Sequence, residues 1–394
     1  QTKNMTKVYF LLVLILGINA CTMKESSDQS SATKAPSSAM LMIGTYTQKL
    51  GHVNGKAAGI YTLAPGRDSL FAHAHTTTGI ENPSYLTIDT AARMLYAASE
   101  LVPGGADSSG YIYSYKIGPK GGLTYLNRQP SYGFAPCYVS ISNDGQFVMA
   151  ANYVGGTVAV YPRNEDGSLG EATDQQTFTG SGPHEQQEAS HPHCIIQAPK
   201  GPWVYIADKG TDRVMSFRLT AKGLLQPTDQ QFVQTAPGAG PRHLAFHPTL
   251  AVVYLINEIN NTVDVFQMEK TTGALSPIQT LATLPDDFSD FSACADIHVS
   301  PDGRHLYASN RGHNSLAIYR IQAENGQLEH LGWVPTQGDF PRNFMITEDG
   351  SQVLVANQNS DNIVIFDRDP ASGQLIRQAV IDCPTPVCIK SVEL

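Results

Sequence analysis

The sequence predicts an all-β fold, a seven-bladed β-propeller with four antiparallel strands per blade, and three observations predict it. First, a hairpin frame recurs six times with the same internal spacing. A marker residue is followed by a turn residue at +7 and by a pair at +16 and +17. The markers and their +17 residues are Pro83 and Glu100, Pro136 and Tyr153, Pro192 and Lys209, Pro241 and Glu258, Cys294 and Arg311, and Pro341 and Gln358. Such self-similarity is the signature of a repeat protein. Second, each hairpin is followed by an alternating strand, as in Thr262–Phe266, and a turn rich in Gly and Asn that ends in Leu, as at Asn325–Leu328. That is tight-turn chemistry, and a fourth, weaker strand follows it. Third, two half-units are left over. Pro384–Val392 reads as an innermost strand with nothing after it, and Met40–Tyr46 as a second strand with nothing before it. Paired, they complete a seventh blade and close the ring, removing the two edges an open array would expose. An open β-solenoid leaves the complementary halves unexplained.

Composition agrees with that architecture. The 394 residues include 34 Gly and 24 Pro, and only 15% are charged. Formal net charge is −9 with no long like-charged block, which argues against a nucleic-acid partner. Neither of the 2 Trp follows the WD pattern.

The chain divides into three parts. Residues 1–21 read as a signal peptide: a short basic stretch at Met5–Lys7, an apolar stretch at Val8–Gly17, then a bacterial lipobox at Ile18–Cys21. Cleavage before Cys21 would leave its thiol to carry lipid; an ordinary secretory signal is the plainer alternative. Residues 22–39 are rich in Ser, Thr and Lys and read as a flexible tether. Residues 40–394 form the propeller. The expected location is the bacterial cell envelope, lipid-anchored, with membrane contact only through that anchor.

Beyond Cys21 remain Cys137, Cys194, Cys294, Cys383 and Cys388, an odd set without CxxC. Four of them fall on innermost strands, so buried free thiols are expected rather than disulfides or metal ligands. His184, His191 and His193 are close in sequence, but no recognisable ligand spacing surrounds them, and neither a metal nor a cofactor is expected. His243, His247 and His298 read as buried or hydrogen-bonded strand histidines. The turn at Pro301–Gly303 is a hairpin turn, not a calcium loop. No GxSxG and no P-loop occur.

The candidate site follows from the frame. With the hairpin turn centred near +9, residue +1 lies roughly opposite +17, and both columns ring one mouth of the central channel. Column +1 reads Ser84, Cys137, His193, Arg242, Ala295, Arg342 and Val387; Tyr46 completes column +17. His193, Arg242, Arg342, Glu258, Arg311, Lys209 and Glu100 therefore converge although distant in sequence. Ionisable groups near the axis are costly unless paired or used. Structural ion pairs are one reading, but an excess of cations in an acidic protein points to a small anionic or oxyanion-forming ligand.

Gly240, Pro241, Arg242 and His243, with Asn257 and Glu258, the run Ala295–Arg311, and Pro341–Phe344 resemble the seven-bladed lactonase family. That family includes bacterial propeller-type 6-phosphogluconolactonases and fungal carboxy-muconate cyclases. Ser181–His184 with His191 and His193 resembles its blade-linking loop, and the resemblance spans roughly Met40 to Val392. Through the cyclase branch it implies a His, two Arg and a Glu at the site, which by position are His193, Arg242, Arg311 and Glu258. The family's Glu-Arg-Gln-like loop reads Glu185, Gln186 and Gln187 here, so its arginine is missing, with any phosphate contact it would make.

The resemblance thus implies hydrolysis of a sugar lactone to the aldonic acid, as in a 6-phosphogluconolactonase. His193 or Glu258 would be the general base, Arg242 and Arg311 the oxyanion donors. Arg342, Lys209 and Glu100 would bind the substrate. A lipid-anchored propeller that binds a ligand or partner without turnover is the first alternative, a muconate-type cycloisomerase the second.

Overall fold

The structure is a computed structural model and describes residues 39–66, 70–104 and 108–394. The expected signal peptide, lipobox and tether up to Ser38 lie outside the described residues. Seven four-stranded antiparallel sheets form, with no helix among the described residues.

We number the blades along the chain by their innermost strands: Pro83–Asp89, Phe134–Ile141, Pro192–Gln197, Pro241–Phe246, Ala293–Val299, Pro341–Ile346 and Pro386–Val392. In blade 7 the innermost strand comes from the C-terminus, and its neighbour, Met40–Thr45, comes from the other end of the propeller. Met40 pairs with Val392 and Gly44 with Cys388, so the ring closes as the two half-units predict. Blade 7 also carries a small extra hairpin, Lys49–Leu50 against Val53–Asn54, which no repeat pattern foretells.

The second strand of each blade is buried on both faces, as in Val252–Asn257, because it lies between neighbours in its own sheet and between two adjacent blades. Its apolar residues are therefore nearly continuous rather than alternating. Outer strands such as Leu375–Asp382 alternate toward solvent. All five cysteines beyond the tether are free and buried, as expected. His243, His247 and His298 are hydrogen-bonded, to Asp296, the Gly303 carbonyl and Asp296 respectively.

One register differs from the expectation that +1 opposes +17. In blade 4, Pro241 pairs with Asn257 and His243 with Ile256, so Arg242 has no partner of its own in the ladder. Ser84, Cys137, His193, Arg342 and Val387 stand in the same extra position in their blades. In blade 5 two residues, Ala295 and Asp296, oppose Ser309 alone. Every blade thus carries a β-bulge at the marker, and a bulge bends its strand and re-aims the extra side chain. The +1 side chains reach the mouth because they are bulged, not because they pair with +17.

Candidate active site at the channel mouth

The rim of the mouth is fixed from both sides of the bulge. Where +17 is Glu100, Lys209, Glu258, Gln358 or Tyr46, its backbone N–H donates to the carbonyl of the residue before the marker, at 2.7–3.2 Å. That preceding residue is left-handed in five blades: Asn82, Ala135, Gly240, Phe340 and Thr385 have φ of 41°, 51°, 70°, 65° and 42°. Four of these are not glycine, and such strain persists only where surrounding structure over-determines it. The +16 residues serve the blade instead. Asn152, Asn257, Asn310 and Asn357 donate to neighbouring carbonyl, hydroxyl, amide or carboxylate oxygens.

Glu258 is the centre of the mouth. Lys209 Nζ donates to its Oε1 at 2.8 Å, while Arg242 Nε and Arg311 Nη2 reach its Oε2 at 2.7 and 3.0 Å. Burial opposes ionisation of this carboxyl, but Lys209, Arg311 and Arg242 together outweigh it and hold the group well below the usual carboxylate range. Lys209 also donates to the Tyr153 hydroxyl and to Gln186 Oε1, which uses all three of its donors. Burial would lower the Lys209 pKa, yet Glu258 reverses this and raises it. Arg311 donates further to the Ala293 and Cys294 carbonyls, and burial lowers its pKa to about 10.

A second group sits across the mouth. Arg342 Nη2 donates to the Tyr46 hydroxyl at 3.0 Å, and that hydroxyl bridges both Glu100 oxygens at 2.9 Å. Arg342 has no carboxylate in salt-bridge contact among the described residues. Four cations (Lys209, Arg242, Arg311 and Arg342) therefore face two carboxylates (Glu100 and Glu258), leaving a net positive mouth in an acidic protein.

His193 lies between these groups and is buried. Its ring meets Tyr153 edge-on at 5.7 Å and His243 at 5.3 Å. Burial first, then the charge of Arg242, pushes its pKa well below the ordinary histidine value, so the ring is neutral near pH 7. Its Nδ1 has no hydrogen-bond partner among the described residues, and Ser84 Oγ and Gln358 Oε1 are likewise unpaired. Buried polar atoms rarely stay unsatisfied, and His193 and Ser84 line one space on the axis, so their unpaired atoms indicate hydrogen bonds left for a ligand or for water.

A cavity of about 410 Å³ opens over these residues, in the range of small-molecule sites. Its lining includes Glu100, His193, Lys209, Glu258, Arg311 and Arg342. Along the axis below lies a narrow space of about 10 Å³ lined by Ser84, His193 and Arg242 among others, large enough for one water.

All seven residues singled out in the sequence therefore meet at one mouth, although Lys209 has no donor to spare. His184 and His191 belong elsewhere. His191 stacks on Tyr153 at 4.3 Å, donates from Nδ1 to the Tyr153 carbonyl and braces the linking loop; His184 accepts from the Gln186 N–H within that loop. Sequence reasoning missed His52, which the extra hairpin of blade 7 brings to the cavity edge against Tyr46. No repeat position marks it. The reach of Gln186 to Lys209 was equally hidden in the blade-linking loop.

Residues 40–391 match the family described as Lactonase, 7-bladed beta-propeller. The chain belongs to that family. It is accordingly a lactonase, a hydrolase of cyclic esters. Among its relatives is a 6-phosphogluconolactonase of Bacillus subtilis, 35% identical over 88% of this chain and 97% of its own. Another 6-phosphogluconolactonase, from Formosa agariphila, is 33% identical over 75% of this chain and 84% of its own. A solved structure, the periplasmic gluconolactonase of Pseudomonas aeruginosa, superposes with a TM-score of 0.83 at 32% identity, covering 90% of this chain and 99% of that one.

Proposed function

We propose that the protein hydrolyses a sugar lactone to its aldonic acid at this mouth, with His193 as the general base. The carrying observation is the contrast between His193 and Glu258. Glu258 is clamped by three cations and is too weak a base; protonating it would strand their charges in a buried site. His193 is neutral, with a free Nδ1 beside the deep cavity. In the first step a water oxygen bonds to the lactone carbonyl carbon while His193 takes a water proton. The carbonyl oxygen becomes an oxyanion facing Arg242 and Arg311, whose charge it shares. Collapse breaks the ring C–O bond, and the His193 imidazolium returns its proton to the departing alkoxide. The carboxylic acid then ionises, and the net positive mouth accommodates the aldonate.

The saturated Lys209 and the glutamine at position 186 support an unphosphorylated lactone. Arg342 and Glu100 remain to bind its hydroxyls. An envelope location fits such a substrate: the lipobox sequence and the periplasmic gluconolactonase among the similar structures both support it. The test is hydrolysis of glucono-lactone and of 6-phosphogluconolactone, followed by proton release with spontaneous opening subtracted and with EDTA in a parallel arm. Turnover faster on glucono-lactone and indifferent to EDTA is expected. No rate above background on either, from folded protein, moves the reading to a propeller that binds without turnover.

A further inference from the structure

Beneath the mouth lies a second polar cluster that the hydrolytic scheme does not use. Asp296, the second bulged residue of blade 5, is buried and accepts from His243 Nδ1 at 2.8 Å and from His298 Nε2 at 3.0 Å. Asn343 and the backbone N–H groups of Ile297 and Phe344 also donate to it. The rings of Tyr85 and Tyr138 wall His243 edge-to-face at 5.8 and 5.2 Å. The other ring nitrogen, His243 Nε2, lies 3.1 Å from Arg242 Nη1.

We propose that Asp296 and His243 are a positioning pair that fixes the Arg242 guanidinium, leaving its Nη2 donors as the ones aimed at the reacting carbonyl. The chemistry allows one arrangement of protons. A guanidinium has five N–H donors and no acceptor, so His243 Nε2 must accept. Nδ1 then carries the proton and donates it to Asp296. Burial, with the Arg242 charge, lowers the His243 pKa to about 4, which keeps the ring neutral and Nε2 free to accept. Arg242 is tied at Nε by Glu258 and at Nη1 by His243 and by the Ala295 carbonyl at 2.6 Å. Nη2 has no partner among the described residues, and Arg242 lines the deep cavity with His193 and Ser84. A bulge brings Arg242 to the axis; the dyad beneath it sets which edge of its plane faces the ligand. A 1 Å error in such a donor can cost about 100-fold in rate, which is why a held guanidinium differs from a merely present one.

The role of the oxyanion rests on the lactonase reading; the tautomer of His243 does not. Two substitutions separate the halves of the pair. His243→Asn keeps a donor toward Asp296 but removes the acceptor at Arg242. His243→Gln places an amide oxygen where Nε2 stood. We expect His243→Asn to lower kcat about 10–100-fold with KM changed by less than about 3-fold, and His243→Gln to recover most of that loss. Thermal melts run beside the kinetics, because a purely structural role would move both variants alike in Tm and leave no split in kcat. Equal kcat for the two, at comparable Tm, overturns the proposal. Nitrogen-15 NMR of the wild-type imidazoles reads the tautomer directly: His243 protonated at Nδ1 supports the pair, and protonation at Nε2 overturns it whatever the activity. Wild-type protein without lactone hydrolysis would defeat the activity reading alone, and the NMR result would still decide the pair.

Discussion

At +13 of the repeat, Tyr96, Tyr205, Tyr254 and Tyr307 each donate a hydroxyl hydrogen bond to a glycine carbonyl in the next blade, at 2.6–2.9 Å. At +1 on the innermost strand, and at +17 four residues beyond the tyrosine position, no residue type occurs more than twice in seven blades. The blade wall repeats one solution in four of the seven blades, because stacked blades meet the same packing problem. The mouth is where the seven units stop being equivalent. Symmetry in the frame serves the fold, and departure from it carries the chemistry. Within the mouth the difference sharpens: blades 3, 4 and 5 contribute His193, Lys209, Arg242, Glu258 and Arg311, whereas blades 2 and 7 offer Cys137, Val387 and tyrosines.

Breaking the mouth at its hub should have the largest effect. Glu258→Gln removes the only carboxylate in contact with Lys209, Arg242 and Arg311 among the described residues. Stranding buried cations should cost about 3–5 kcal/mol in denaturant unfolding and bring lactone hydrolysis close to background. A stable, active Glu258→Gln variant would show that the three cations are held by the blades rather than by their shared anion.

Acid should distinguish the two regions next, since the mouth holds its titratable groups and the tyrosine staples do not ionise there. His193 and His243 are neutral when folded but protonate at about pH 6.5 when unfolded. The unfolded chain therefore binds more protons below pH 6.5, and stability should fall as pH drops from there, by at most about 1.4 kcal/mol per pH unit for each group. Glu258, depressed in the folded state, stabilises above about pH 4.5 and adds its own loss below it. Urea midpoints between pH 7.5 and 4 measure this; a flat profile would contradict buried neutral histidines.

The smallest effect belongs to the wall. Tyr254→Phe leaves the Gly326 carbonyl without its hydroxyl and should cost about 1–2 kcal/mol while leaving kcat/KM unchanged. A rate change from this substitution would mean that blade packing and mouth geometry are coupled.

The sequence made the ring legible because fixed spacing survives divergence of individual residues. The frame from Pro83 to Pro341, and the two half-units at Met40 and Pro386, carried the blade count and the closure. The seven mouth residues followed from the same columns. The bulges did not, because an extra residue inside a hairpin leaves no mark when every copy contains it. Which cations are spent and which are free was also invisible: Lys209 and Arg342 look alike as letters, and only three-dimensional contacts show the first saturated. The dyad beneath Arg242 stayed hidden because Asp296 comes from the neighbouring blade, 53 residues further along the chain. His52 lies in an insertion outside the repeat.

The central claim is that His193, buried and neutral with its Nδ1 free, drives water onto a lactone. Its most direct measurement is the initial rate of glucono-lactone hydrolysis by wild-type protein and by His193→Gln across pH 6–8, with background opening subtracted and folding checked by a thermal melt. The account predicts a wild-type rate well above background and level with pH in this range, because His193 titrates below it, and a loss of about 100-fold or more in the variant. A folded His193→Gln protein that hydrolyses the lactone at the wild-type rate would contradict it.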